Sequence, residues 1–270
     1  DQIISPLIEQ GQSPYHILTN HPELDMSVRT LYSYLDQGLF TARNIDLKRK
    51  VHFKPRKSHK TQITDRAVFI NRSYRDFCSL ALTGYVQMDT VHSSRESKKT
   101  LLTMFFTKEK LFLAFLMNRC TKGAVRLVFD RLEKRMGTFE FASVFEYILT
   151  DRGSEFGDPD ALETGVNGIQ RSSIYYCDPM QSGQKGGLEQ AHTMLRMILP
   201  KGTCFEFLTQ WDINLIVNHI NSTPRESLGG RTPYSVALET LGEEVLNAFQ
   251  LRPIAPDEVN LTPKLIRFNH

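Results

Sequence analysis

A chain of 270 residues with 40% hydrophobic and 23% charged residues has the make-up of an ordinary globular protein, long enough for one large domain and a small accessory unit. No apolar run approaches the roughly 20 residues of a membrane span. The N-terminus lacks the basic-then-apolar pattern of an export signal. The formal net charge of +3 is too small to name a partner by itself, so the charge distribution has to be read along the chain.

The chain opens in mid-pattern at Asp1, as a fragment or a processed chain would. Residues 2–40 read as short helices. Ile3, Ile4, Leu7 and Ile8 have helical spacing, Ser13-Pro14 is a cap followed by proline at the first helical position, and Ser27 caps a third helix that turns Val28, Leu31 and Leu35 inward. Arg29, Thr30 and Ser33 would then face out. Such a trio fits either a helix-turn-helix DNA reader or plain scaffolding. From Arg43 to Lys60 the basic residues Arg43, Lys48, Arg49, Lys50, Lys54, Arg56, Lys57 and Lys60 stand against one acid, Asp46. A block of that kind suits a polyanion such as DNA, or a solvated linker.

Residues 65–82 read as a helix with Thr64 as cap. The pattern then changes. Tyr85 to Val91 reads as a strand ending in Asp89. Leu101–Phe106 and Leu111–Met117 are continuous apolar runs joined by Thr107-Lys108-Glu109-Lys110, a hairpin buried on both faces. Thr121 caps a helix closed by Gly137, Tyr147–Thr150 is a short strand before Asp151, residues 158–163 form a small helix, and Ser172–Cys177 is another strand. A turn-rich loop with Pro179, Gly183, Gly186 and Gly187 leads into a helix with Leu188, Ala191, Leu195 and Ile198 on its buried stripe. Thr209 opens a further helix with Asp212 in a near capping box. The last residues, with Pro253, Pro256 and Pro263, read as an extended tail. Five strands and intervening helices make an α/β fold, a mixed five-stranded sheet flanked by helices, preceded by an all-α unit. Cys78, Cys120, Cys177 and Cys204 are widely spaced, without a Cys-x-x-Cys pair, and read as reduced thiols of a cytosolic protein.

Asp89 and Asp151 each stand at the end of a strand. If those strands are neighbours, both carboxylates emerge at one sheet edge, where ligands of such sheets bind. Glu189, in the first turn of the later helix, comes 38 residues after Asp151 (189 − 151), enough chain to return to that edge. Three clustered carboxylates call for a cation, and oxygen-only ligation suits Mg²⁺ or Mn²⁺. Strand-end aspartates also serve simply as turn caps. Glu189, His192 and Arg196 share one helix edge, which is equally the pattern of a solvated polar face.

Six stretches occur in order: Gln87-Met88-Asp89-Thr90-Val91, Leu149 to Phe156, Tyr176 to His192, Leu199-Pro200-Lys201-Gly202-Thr203, Asn218 to Arg225, and Gly230-Arg231-Thr232-Pro233. In these the chain resembles bacterial insertion-sequence transposases of the insertion sequence thirty family, members of the DDE superfamily with an RNase H-like core, over roughly residues 1–240. The resemblance implies a helix-turn-helix DNA-binding domain at 1–40, a basic linker at 41–63, an RNase H-like catalytic core at 64–240 and a C-terminal extension at 241–270. It implies Asp89, Asp151 and Glu189 as a catalytic triad holding two Mg²⁺ or Mn²⁺ ions, and DNA cleavage at transposon ends followed by strand transfer into target DNA. Lys185, His192, Arg196 and Lys201 join Arg29, Thr30, Ser33 and the basic block as expected DNA contacts. The implied protein is a homo-oligomer, dimer or higher, acting on terminal inverted repeats at the nucleoid in the bacterial cytoplasm, with no membrane partner. Departures stand beside this. Arg152 replaces the usual Asn after the second Asp, Ser182-Gly183-Gln184-Lys185 stands where Ser-Trp-Gln-Lys is common, and Gln190-Ala191 replaces Lys-Asn. Arg152 could pair with Asp151 or contact a phosphate. The alternative function is a catalytically impaired, domesticated DNA-binding protein. A simple nuclease is disfavoured because it needs no N-terminal DNA reader.

Overall fold

The computed structural model describes residues 1–47, 67–179 and 181–266. The expected DNA contacts Lys48, Arg49, Lys50, Lys54, Arg56 and Lys57, and the expected cap Thr64, lie outside the described residues.

Three short helices open the chain, α1 (Ile4–Glu9), α2 (Pro14–Asn20) and α3 (Val28–Asp36). Ser13 accepts from the His16 amide and Ser27 from the Thr30 amide, which satisfies helix-start donors that have no partner inside the helix. Ile4, Leu7, Ile8, Ile17, Leu31, Leu35 and Ala42 close a small core of their own. Arg29 and Ser33 are exposed, whereas Thr30 is half-buried and its hydroxyl hydrogen-bonds that of Ser27.

The helix expected over 65–82 is broken. A 3₁₀ turn, Ala67–Phe69, precedes α4 (Tyr74–Ser79). Asn71 takes a left-handed φ of 60°, and Ser73 and Asp76 form a reciprocal capping box that starts a new helix behind it. Phe69 and Phe77 are the side chains of this segment that reach the core.

The sheet has five strands: β1 (Val86–His92), β2 (Thr100–Phe106), β3 (Leu111–Met117), β4 (Tyr147–Thr150) and β5 (Ser173–Tyr176). Their order is β3-β2-β1-β4-β5. The first three are antiparallel neighbours, while β1–β4 and β4–β5 are parallel. This strand order and mixed polarity are RNase H-like. All seven residues of β2 are buried, so both faces of the sheet are covered, as its unbroken apolar run requires. At the β3 edge, α9 (Gln210–Asn221) supplies the missing partners. The Asn221 side chain accepts from Phe112 N at 2.9 Å and donates to Phe112 O at 2.7 Å. Gln210 accepts from Leu116 N and donates to Ala114 O. The exposed ladder of an edge strand is thereby closed.

α8 (Gly186–Ile198) follows β5, while α5 (Lys122–Met136), α6 (Thr138–Val144) and α7 (Pro159–Glu163) run between the strands. The polar tie among them is Arg171, only 1% exposed. Its Nη1 donates to Asp130 Oδ1 and Glu133 Oε2, both at 2.7 Å, and its Nε to Leu162 O at 2.9 Å. Its guanidinium also lies 5.5 Å from the ring centroids of Phe129 and Phe141.

α10 (Pro233–Leu241) and α11 (Glu243–Ala248) follow α9, and the proline-bearing stretch after them, expected as an extended tail, has only two 3₁₀ turns, Pro256–Glu258 and Pro263–Leu265, among its described residues. Val259, Leu261 and Ile266 then join the main core. The same strap ties back to the N-terminal helices. Leu261 N donates to Gln10 O at 2.8 Å, Gln12 Nε2 reaches Pro256 O and Val259 O, and His21 pairs with Asp257 at 2.9 Å. None of the four cysteines is in a disulfide. No helix among the described residues is long and apolar enough to cross a membrane.

Arg171→Ala leaves the buried Glu133 without its counter-charge and should cost about 3–5 kcal/mol in urea unfolding. His16, with both ring nitrogens buried and without a hydrogen-bond partner among the described residues, is held down to about 4 by burial, with Arg225 adding to it; burial likewise holds His219 down to about 4. The native state therefore binds fewer protons than the unfolded chain between about pH 4 and 6.5, and stability falls as pH drops through that window. Each histidine should account for about 2 kcal/mol lost between pH 7 and pH 5, and His16→Leu should remove its share of that slope.

Candidate active site

The site follows from the β1–β4 register. Val86 pairs with Ile148 and Gln87 with Leu149 in parallel. Counting three residues on from the first pair brings Asp89 beside Asp151, and equal spacing puts both on the same face. Asp89 lies within β1 rather than at its end, because β1 runs on to His92 against β2. Since β4 stops at Thr150, Asp89 projects at the edge where the neighbouring strand ends.

The two carboxylates are oriented by main-chain amides. Asp89 Oδ1 accepts from Thr90 N at 2.7 Å and Asp151 Oδ1 from Gly153 N at 2.9 Å. Their other oxygens converge on one cation. Lys185 Nζ stands 2.9 Å from Asp89 Oδ2, 3.4 Å from Asp151 Oδ2 and 3.3 Å from Met88 O. Burial raises the Asp151 pKa and the neighbouring Asp89 adds to it, while Lys185 opposes both. Lys185, expected as a DNA contact, is 4% exposed and faces inward.

Glu189 is placed in the first turn of α8, exposed. Among the described residues no three His, Cys, Asp or Glu side chains stand together as a metal cluster. The structure thus brings Asp89 and Asp151 together and leaves the Glu189 carboxylate outside the pair. The α8 start is nonetheless tied to β1. It has no side-chain cap of its own, and the buried Gln87 serves instead, its Oε1 accepting from Leu188 N at 2.9 Å.

His192 does not lie on the solvent side. Its Nε2 hydrogen-bonds Thr103 Oγ1 at 2.8 Å, and that hydroxyl donates to Asp89 O at 3.1 Å. Burial brings its pKa down to about 4, so at neutral pH it is an uncharged link between α8 and the Asp89 backbone. Arg196 is half-buried and donates to Leu199 O and His92 O, both at 3.4 Å. Lys201 and Arg29 are exposed. Arg152 donates from Nε to Cys177 O at 3.3 Å and lies 4.8 Å from the centroid of Phe69.

Sequence reasoning missed a second carboxylate beside Asp151. Glu155 is 9% exposed, and its Oε1 accepts from Thr90 Oγ1 at 2.7 Å. A Cβ on Gly153 would stand 2.7 Å from Glu155 Oε2 and 3.0 Å from Asp151 Oδ1, so glycine there lets the two carboxylates flank one backbone turn. Burial and then Glu155 push the nearby Cys120 thiol up to about 11. The signal was present, since Glu155 closes the same short motif as Asp151. Lys185 likewise stands four residues before Glu189, but its inward path depends on contacts that spacing does not express.

The α8 entrance gives a direct test. A Cβ on Gly187 would lie 2.4 Å from Phe105 Cε1, whereas one on Gly186 meets nothing within 4 Å. Gly187→Ala should therefore destabilise by about 1–3 kcal/mol through overpacking. Gly186→Ala, at a helical φ of −56°, should be neutral or stabilising by up to about 1 kcal/mol. Paired denaturant curves check both.

No family model matches the chain. The InsI transposase of an IS30 element in Escherichia coli is 32% identical over 88 residues, 32% of this chain and 21% of that protein. The ORF3 protein of a Spiroplasma virus is 25% identical over 205 residues, 74% of this chain and 60% of that protein. Transposases of other insertion sequences, from Cupriavidus metallidurans and Streptococcus salivarius, match at 34% and 27% identity. Each match takes in less than two thirds of the relative's length. Among solved structures, the catalytic core domain of BIV integrase superposes with a TM-score of 0.40 at 24% identity, covering 58% of this chain and 94% of that domain. The chain is thus similar, in sequence, to transposases of IS30 and related insertion-sequence elements, which match it at 27–34% identity.

Proposed function

We propose that this chain carries the catalytic core of an insertion-sequence transposase, which cuts phosphodiesters at transposon ends and joins the freed 3′-hydroxyl to target DNA. The observation that carries the reading is the convergence of Asp89 Oδ2 and Asp151 Oδ2 on a single cationic atom at the shared edge of two parallel strands. Two carboxylate oxygens and the Met88 carbonyl oxygen are hard donors, the set that Mg²⁺ or Mn²⁺ prefers. The Lys185 ammonium is a stand-in cation at that point, so the residues present fit such an ion. Glu189, in the helical turn that follows Lys185, is the third carboxylate of the proposed set. Divalent ions held by these residues would supply an activated attacking oxygen and neutralise the leaving one.

The chain's own residues do the rest. Thr90 N and Gly153 N aim the two aspartates, and Gln87 fixes the start of the Glu189 helix against β1. Neutral His192, through Thr103, steadies the Asp89 backbone. In the proposed organisation, residues 1–40 with Arg29, Thr30 and Ser33 read DNA, the basic 41–63 segment grips phosphates, 64–240 forms the core, and 241–270 straps it to the N-terminal helices. Exposed Lys201 adds a backbone contact, and the protein acts as a homo-oligomer on terminal repeats.

A second reading has a specific observation in its favour. No three-residue metal cluster forms among the described residues, and Arg152 puts a cation next in sequence to Asp151. In that reading the chain is an impaired copy that binds DNA without cutting it.

Cleavage of duplex DNA carrying the element's ends, with Mg²⁺ or Mn²⁺, separates the two. The parent should cut, and Asp89→Asn should lose roughly a hundredfold or more. A silent parent with activity recovered in Arg152→Asn means a damaged enzyme. If neither cuts while the parent still binds ends with a steep salt dependence, the DNA-binding reading stands instead.

A further inference from the structure

We propose that Lys185 is a built-in counter-cation of this site, clamping Asp89 to Asp151, and that a divalent ion enters only as the ammonium leaves. The inference rests on the metal reading of Asp89 and Asp151 given above.

A surface lysine would not be built this way. Lys185 is 4% exposed, and burying an ammonium is costly unless each of its donors is met. Here three oxygens surround Nζ: Asp89 Oδ2 at 2.9 Å, Met88 O at 3.3 Å and Asp151 Oδ2 at 3.4 Å. Three acceptors match the three N–H groups of an ammonium. The opposite carboxylate oxygens are already engaged by Thr90 N and Gly153 N. The two Oδ2 atoms are therefore the ones turned towards a cation. A divalent ion needs those same oxygens, and a double and a single positive charge held a few ångströms apart in a partly buried site repel strongly. One excludes the other.

The backbone around Lys185 provides for its departure. Lys185 occupies the cap position of α8, ahead of the helix proper. On its C-terminal side the helix is pinned: Gly187 packs on Phe105 and Leu188 N is held by Gln87. On its N-terminal side the turn is held by a local pair, Gln184 with Asp178. Gly183 and Gly186 bracket the lysine, and a Cβ on either meets nothing within 4 Å. The proposed departure is a swing of this turn that releases the Gln184–Asp178 pair and leaves the helix bearing Glu189 on the sheet. The released ammonium then stands at the mouth of the site, where a DNA phosphate is its natural partner. This joins its buried position here to its expected role as a DNA contact.

The test compares the full chain with Lys185→Gln by calorimetric titration with Mn²⁺ and by thermal melting in EDTA. Lys185→Gln should bind Mn²⁺ about tenfold more tightly, because no ammonium has to be displaced. In EDTA it should melt below the parent, since two adjacent carboxylates lose their counter-charge, and saturating Mn²⁺ should remove that deficit. Hydrogen exchange at residues 183–186 of the parent should quicken on Mn²⁺ addition. Equal or weaker Mn²⁺ binding by Lys185→Gln overturns the clamp and leaves the metal reading standing. No Mn²⁺ binding by either protein overturns the metal reading and the clamp with it. Should Lys185→Gln fail to fold, Lys185→Met keeps the apolar stem and is read in the same way.

Discussion

The parallel pairing of β1 with β4 is the constraint on which the site depends. Two strands distant in sequence are held in one register, and that register sets two aspartates side by side at an edge where the shorter strand ends. Like charges so placed repel, and the fold answers with a cation drawn from the turn ahead of α8, Lys185. The packing that brings α8 there serves the same end. Its buried stripe of Leu188, Ala191, Leu195 and Ile198 rests on the core, and its unsatisfied amide is met by Gln87, two residues before Asp89 on the same strand face. Strand register, helix cap and counter-charge thus form one connected unit.

The polar groups around this unit act through the backbone more than through direct contact with solvent. His192 reaches Asp89 only by way of Thr103 and the Asp89 carbonyl, and Arg196 grips main-chain oxygens at the ends of α8 and β1. Side chains that look like a row of DNA contacts on a helical wheel are in part the ties that seat the helix. Arg29 and Lys201, by contrast, are exposed. Glu155 adds a carboxylate whose closeness to Asp151 is permitted by the bare Cα of Gly153.

Much of the fold was legible because its signals are local. Continuous apolar runs marked β2 and β3, Ser13, Ser27, Thr121 and Thr209 marked helix starts, and the stripe of α8 marked its buried face. The failures were of two kinds. Where a helical pattern crossed Asn71, a left-handed residue and a new capping box at Ser73 broke it, a choice made by the path the chain must take into β1. In the C-terminal stretch, the prolines marked the irregular path but not that Val259, Leu261 and Ile266 find apolar partners on the distant core.

The sequence by itself determined the elements, the order of the motifs and the two aspartates, because hydrophobic period, cap chemistry and residue type are properties of neighbours along the chain. Only the tertiary structure decided what those aspartates face. Which cation sits between them, which way Lys185 points, whether His192 is charged and where the Glu189 carboxylate stands relative to the pair all depend on contacts between residues tens of positions apart. Desolvation and Coulomb forces are set by distance in space, and sequence spacing carries that distance only within a turn or two of helix or along a single strand.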